Sequence, residues 1–270
     1  MARDFTNPLK EKLATGEPVF GMSVRMARTA DIARIAKTTG HDFLFIDTQH
    51  AIYGLETIYT IAQTAIEIGV APLVRCRGVD DPDVSLLLDN GVQGIIYPDV
   101  NTPEQARRAI DTCKFPPLGK RSVAGGYMMF DFAAKSVVEA TAALNDATLV
   151  GVMIETPEAL ANVEAIAAEP GVDVIHVGTN DLLVNMGIPG QFDAPQIVAA
   201  QERVNAACAA HGVVAGVGGN RLVERQARAV CNGARFLTTQ TDIAFLTSAA
   251  KTWADRLRAE LNARPSKSGR

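Results

Sequence analysis

A parallel β/α barrel is the fold class that three features of the sequence predict. Short apolar runs rich in Val, Ile and Phe recur along the chain, and segments of helical periodicity separate them. About eight such alternations fit into the length of the chain, which matches a (β/α)8 TIM barrel. An open doubly wound sheet would also alternate. It needs a Gly-rich nucleotide loop after its first strand, and here that strand runs into Val24-Arg25-Met26.

The strands are read in order from their apolar runs: Val19 to Arg25, Phe43 to Asp47, Ala71 to Cys76, Gly94 to Pro98, Thr148 to Glu155, Val172 to Val177, Val213 to Val217 and Arg235 to Thr239. Helix starts stand between them. Thr29-Ala30-Asp31, Asp81-Pro82-Asp83, Thr102-Pro103-Glu104 and Thr156-Pro157-Glu158 each pair a capping residue or a proline with the first turn. Stops are equally readable, as at Gly40 and Gly212, where a residue without Cβ suits a left-handed helix end. The longest irregular stretch, Phe115 to Tyr127, precedes a helix expected over Phe132 to Asn145, and its length suits an active-site or subunit-contact loop. A last helix from about Ala244 to Ala263 has more apolar residues than one buried face needs, which suits packing on a neighbouring subunit. Residues 1–263 are thus expected to form one barrel domain with its C-terminal helix, and 264–270 a flexible polar tail.

Composition limits the partners. The 270 residues are 47% hydrophobic and 21% charged, with a formal net charge of -4, which argues against a nucleic-acid or anionic-membrane surface and favours a small molecule. Cys76, Cys113, Cys208 and Cys231 show neither CxxC spacing nor a dense framework and are read as reduced thiols. The polar N-terminus lacks the apolar core of a secretory signal, and no apolar segment is long enough to span a bilayer, so a cytoplasmic location is expected.

A strand buried on both faces cannot keep a charge in its middle, so charges that end such strands belong at the rim. In a barrel the C-terminal rim is one face, which should bring together Asp47, His50, Arg75, Glu155 and Asp181. Glu155 and Asp181, without cysteine or a close His pair, suit a hard divalent cation such as magnesium, manganese or cobalt, completed by water and substrate oxygens. His50 can act as a general base near neutral pH, with Asp47 expected to fix its tautomer. Arg75 can stabilise an enolate oxygen. His176, inside an apolar strand, reads as a packed, hydrogen-bonded core group, and His41 and His211 precede strands at the opposite face. None of the strands contains the lysine that a Schiff-base aldolase requires. Gly216-Val217-Gly218-Gly219 is too short for a nucleotide loop and suits close approach of backbone to a ligand.

The motifs Ile46-Asp47-Thr48-Gln49-His50-Ala51, Pro72-Leu73-Val74-Arg75, Phe115-Pro116-Pro117-Leu118-Gly119-Lys120-Arg121, Ile154-Glu155-Thr156 and Gly178-Thr179-Asn180-Asp181-Leu182 resemble, in order and spacing, the HpcH/HpaI aldolase family of the pyruvate and phosphoenolpyruvate TIM-barrel superfamily. The resemblance spans nearly the whole chain. It implies a metal-dependent class II aldolase that cleaves a 4-hydroxy-2-oxo acid to pyruvate, or a related 2-oxo acid, and an aldehyde. It also implies metal ligation by Glu155 and Asp181, proton handling by His50 with Asp47, enolate stabilisation by Arg75, and carboxylate binding by the backbone amides of Asn180 and Asp181. Asp89 matches a family position that reaches the aldehyde from an adjacent subunit, and a hexamer is implied. Gln49 replaces the family's usual Glu, Met153 a frequent Gln, and Thr179-Asn180 a common Pro-Ala, so these positions are expected to bear on substrate choice. A phosphoenolpyruvate- or CoA-ester-type lyase of the same superfamily, or a non-catalytic barrel that binds a 2-oxo acid, are the alternative readings.

Overall fold

Eight parallel strands close into a barrel in strict chain order in the computed structural model, which describes residues 5–264. The strands are β1 (Val19–Val24), β2 (Phe43–Asp47), β3 (Ala71–Arg75), β4 (Gly94–Tyr97), β5 (Leu149–Ile154), β6 (Val174–Gly178), β7 (Val214–Gly218) and β8 (Phe236–Thr241). Pairing of Val19 with Phe236 closes the ring between β1 and β8. Strands β6 and β7 each run one residue further than the sequence suggests, because Gly178 and Gly218 face each other in register although glycine disfavours a strand in isolation. Of the expected tail, residues 265–270 lie outside the described residues.

Side-chain alternation then sorts each strand into a face toward the barrel axis and a face toward the helices. Leu44, Ile46, Val74, Ile95, Val150 and Val152 join the helices in the larger core. Phe43, Phe45, Leu73, Ile96, Met153, Val174 and Phe236 fill the interior, with the Phe43 and Phe236 rings stacked at 4.4 Å. Interior space is tight. A Cβ on Gly21 would lie 2.1 Å from the Phe43 ring, so glycine there is what lets the phenyl group occupy the axis.

A short helix, Pro8–Ala14, lies in the polar N-terminus, where the sequence pattern indicates none. The Asn7 side chain accepts from the Leu9 N–H at 3.1 Å and Pro8 occupies the first turn, so the helix has a proper start. Its buried Leu9 and Leu13 join the interior cluster.

The long connection after β4 builds a core of its own from Phe115, Tyr127, Met129 and Phe130 against Ala140 and Leu144. The following helix runs Val137–Ala147, later than its apolar pattern suggests, because the Ser136 and Glu139 capping box sets its start. The C-terminal helix, Asp242–Ala263, buries only Asp242, while Ile243, Phe245, Leu246, Trp253, Leu257 and Leu261 are exposed. Among the described residues, no helix is long and apolar enough to cross a membrane.

Candidate active site at the C-terminal rim of the barrel

The parity that points Phe43 and Phe45 inward also points Asp47 inward. Leu73 does the same for Arg75, and Met153 for Glu155. Asp47 and Arg75 are register partners across β2 and β3. Their side chains form a two-pronged ion pair: Arg75 Nε donates to Asp47 Oδ1 at 3.0 Å, and Nη2 donates to Oδ2 at 2.7 Å. Arg25, one residue past β1, donates a third bond from Nε to Asp47 Oδ2 at 2.6 Å. Burial alone would raise the Asp47 carboxyl, but the Arg75 hydrogen bonds and charge, with Arg25, hold it below the ordinary carboxylate range.

These bonds correct the expected pairing of Asp47 with the His50 imidazole. Asp47 Oδ1 accepts the His50 backbone N–H at 3.2 Å and shapes the turn after β2, while the ring stands at the pocket edge. The carboxylate is already engaged by two guanidiniums, which occupy the directions that an imidazole N–H would need.

Glu155 lies directly after β5 and is 2% exposed. Its Oε2 accepts the Asp99 backbone N–H at 3.0 Å. Burial raises the Glu155 carboxyl above its ordinary range, and the nearby charges of Asp99 and Asp181 push in the same direction. Gly178 is the reason this carboxylate fits. A Cβ there would lie 2.3 Å from Glu155 Oε1 and 2.7 Å from its Cγ.

One pocket brings together His50, Arg75, Glu155, Asn180 and Asp181, together with Arg25, Arg221 and His176. Asp47 lies behind it, against Arg75. Gln49 and Thr179 do not line this pocket; Gln49 Oε1 and Thr179 Oγ1 are buried without hydrogen-bond partners. Asp89 is also elsewhere. It ends the helix Val84–Asp89 and accepts a bond from the buried Arg121 Nη2 at 2.6 Å, so a contact with substrate would have to be made in another copy of the chain. No residue of the Phe115 to Tyr127 loop reaches the pocket.

His176 departs from the packed and hydrogen-bonded group expected of it. It is packed between Phe45 and Phe236, at ring distances of 6.0 and 5.5 Å, but its Nδ1 has no partner and its ring lines the pocket floor. Burial drives its pKa down to about 3, with the Arg75 charge adding to the effect, so the imidazole is neutral at physiological pH. Its position was readable from parity with Val174 and Gly178. Arg25 was readable in the same way, since it follows β1 with the parity of Val19, Gly21 and Ser23. Arg221 follows β7 in a loop, where no periodicity signals direction.

The donor set suits a hard cation. Glu155 and Asp181 both present oxygen donors to the pocket, and burial of the former disfavours its charge until a positive partner arrives. No three His, Cys, Asp or Glu side chains converge among the described residues, so the chain offers a pair of carboxylates, the number common for magnesium-like ions that retain water and bind substrate oxygens.

Comparison with known proteins finds relatives along nearly the whole chain. Residues 24–239 match the HpcH/HpaI aldolase/citrate lyase family. A 4-hydroxy-4-methyl-2-oxoglutarate aldolase of Chaetomium globosum is 37% identical over 251 residues, covering 90% of this chain and 92% of its own. A hydroxypyruvate/pyruvate aldolase of Delftia acidovorans is 33% identical, covering 94% and 93%. The crystal structure of an HpcH/HpaI aldolase from Desulfitobacterium hafniense superposes with a TM-score of 0.87 at 31% identity, covering 97% of this chain and 99% of that one.

Proposed function

From the premise that this chain belongs to the HpcH/HpaI aldolase/citrate lyase family, we propose that it is a carbon–carbon lyase that reversibly cleaves a 4-hydroxy-2-oxo acid to pyruvate, or a close 2-oxo acid, and a second carbonyl compound. The observation that supports this most is the convergence of Glu155, Asp181 and Arg75 on one pocket at the strand ends. In this reading Glu155 and Asp181 hold a divalent cation, magnesium, manganese or cobalt. When bound, it supplies Lewis-acid polarisation of the 2-oxo group and its carboxylate.

The side chains have separate tasks. Cleavage breaks the bond between C3 and C4, the C4 hydroxyl becomes a carbonyl as it loses its proton, and the electron pair passes to C3 and the 2-oxo oxygen. His50 is the proton acceptor, an imidazole at the pocket edge. Arg75 has two nitrogens committed to Asp47, which fixes the guanidinium plane and leaves Nη1 as the edge that meets the developing enolate oxygen. Asp47 is therefore a positioning residue that acts through Arg75. The Asn180 and Asp181 backbone N–H groups, in the first turn of the helix Thr179–Asn185, have no intrahelical partners and suit the C1 carboxylate. C3 finally takes a proton to give the 2-oxo acid.

A panel of 4-hydroxy-2-oxo acids with enzymatic detection of released pyruvate tests the proposal. Turnover that stops with EDTA and returns with added cation is expected, and absence of cleavage across the panel would refute it. Gly178→Ala should lower the cleavage rate by about 100-fold, because the new methyl displaces the Glu155 carboxylate by an amount that matters for chemistry. The backbone there, at φ -83 and ψ 82, accepts alanine, so the loss should come with a higher cation concentration at half-maximal rate and not with unfolding.

Assembly from several copies belongs to the same reading. The Asp242–Ala263 helix leaves Trp253, Leu257 and Leu261 in solvent, apolar surface that a second chain would cover. Light scattering should give a mass several times 28.7 kDa, and Trp253→Glu with Leu257→Glu should reduce it. A wild-type mass of one chain would contradict the expectation.

A further inference from the structure

The two oxygens of the Glu155 carboxylate stand in different surroundings. Oε2 accepts the Asp99 backbone N–H at 3.0 Å, whereas Oε1 accepts no hydrogen bond among the described residues and lies over Gly178, where a Cβ would come within 2.3 Å. The Glu155 carbonyl is held as well, by Asn185 Nδ2 at 3.0 Å. One carboxylate oxygen is thus anchored to backbone, and the other is free for a ligand.

Asp99 can give its amide to Glu155 because the chain leaves the sheet at this point. The β4–β5 ladder ends where Tyr97 pairs with Val152, and Pro98 has no N–H with which to continue it. Asp99 then takes a left-handed backbone, with φ of 54°, and its N–H meets a side chain instead of a strand. A residue with a Cβ is uncommon in that region, although Asp and Asn tolerate it. Asp99 is exposed and borders a separate cleft with Arg77, Asp81 and Gln105, and its carboxylate makes no hydrogen bond or ion pair among the described residues.

Asn101 holds this turn against the segment that carries Glu155. Its Nδ2 donates to the Asp99 carbonyl at 3.1 Å, and its Oδ1 accepts the hydroxyl of Thr156, the residue after Glu155. Its backbone is engaged too: the N–H donates to Gln105 Oε1 at 2.6 Å, and the carbonyl accepts Asn162 Nδ2 at 2.8 Å. Thr156 Oγ1 accepts the Ala159 N–H at 3.0 Å, which fixes the hydroxyl at the start of the helix Pro157–Ala161. With every polar group engaged, the Asn101 amide keeps one orientation, and through it residues 99 and 156 are tied together beside the carboxylate.

We propose that Asp99 and Asn101 are positioning residues that hold Glu155 so that Oε1 alone meets the divalent cation. This rests on the aldolase reading above, in which Glu155 and Asp181 hold that cation. Asp99 acts through the direction of its N–H, and Asn101 through the turn that sets it, so backbone conformation is what matters at position 99 and the carboxylate is not. A hydrogen bond on Oε2 disfavours chelation by both oxygens of Glu155 and leaves coordination positions for water and substrate oxygens, as magnesium-like ions require.

Titration of the purified protein with manganese(II), followed by electron paramagnetic resonance of the free ion, tests the brace. Asn101→Ala removes both side-chain bonds and should weaken binding about tenfold or more, the scale of losing a group that orients a ligand. Asp99→Val, whose branched side chain opposes a left-handed backbone, should do the same, while Asp99→Gly and Asp99→Asn accept the turn and should recover most of the affinity. A merely structural role would lower the urea midpoint and leave the affinity of the folded protein as it was. Should Asp99→Val fail to fold, Asn101→Ala decides. Wild-type affinity in these variants, with binding still lost in Glu155→Gln, would overturn the brace and leave the cation site standing. Manganese that does not bind the wild type, or that binds Glu155→Gln equally well, would refute the cation site and the brace with it.

Discussion

Replacing Arg75 by alanine is expected to lower the rate of pyruvate enolisation by about three orders of magnitude, the scale of losing a donor aimed at a developing oxyanion. The same substitution removes both bonds that Arg75 makes to Asp47, leaving a carboxylate with 0% exposure supported by Arg25 and the His50 backbone. Breaking a buried pair in this way costs about 3 kcal/mol of stability. The two effects separate experimentally. Arg75→Lys keeps a charge near Asp47 but cannot present the planar two-pronged face, so it should recover part of the stability and little of the rate. A lysine variant with near wild-type exchange would show that charge alone, and not the edge fixed by Asp47, stabilises the enolate.

Glu155→Gln is expected to abolish cation-dependent activity while leaving the metal-free protein as stable or more so. The amide is nearly isosteric, and its oxygen can still accept the Asp99 backbone N–H, but it brings no negative charge into a site where burial opposes one. The pH dependence has a definite sign. The folded-state pKa of Glu155 is raised above its unfolded value, so its contribution to stability is fully present below about pH 4.5 and is lost as pH rises through the folded value. Urea midpoints of the two metal-free proteins should therefore coincide near pH 4 and separate toward pH 8, where the Glu155→Gln protein should be the more stable. A variant destabilised at pH 8 would mean that the carboxylate has a structural counter-charge. Activity lost together with gained stability is the signature of a residue retained for function.

Much of this site was legible because barrel geometry converts strand parity into position. Asp47 and Arg75 end adjacent strands on the inward side, and Glu155 extends the parity of Met153, so their convergence follows from apolar alternation and one assumption about closure. The limits are equally physical. Sequence spacing placed His50 near Asp47, but could not show that two guanidiniums would claim the carboxylate and leave His50 only a backbone contact. Arg221 lies in a loop, and loops carry no period from which direction can be read. Gly178 reads as an ordinary strand-end glycine until the Glu155 carboxylate is seen beside it. The helix at Pro8–Ala14 is not legible in the sequence because its two buried leucines are too few to make a periodic pattern.

Of the positions expected to bear on substrate choice, Gln49 and Thr179 do not line the pocket, whereas Met153 and Asn180 do. Arg25 and Arg221 also line it.

Proton NMR of pyruvate in deuterium oxide, with the purified protein added, is the sharpest probe of the enolising site. The methyl signal should fade only when magnesium, manganese or cobalt is present, stop fading on addition of EDTA, and persist unchanged with Glu155→Gln. Exchange that EDTA leaves untouched, or that continues in Glu155→Gln, would contradict a cation-dependent enolising site built on Glu155 and Asp181.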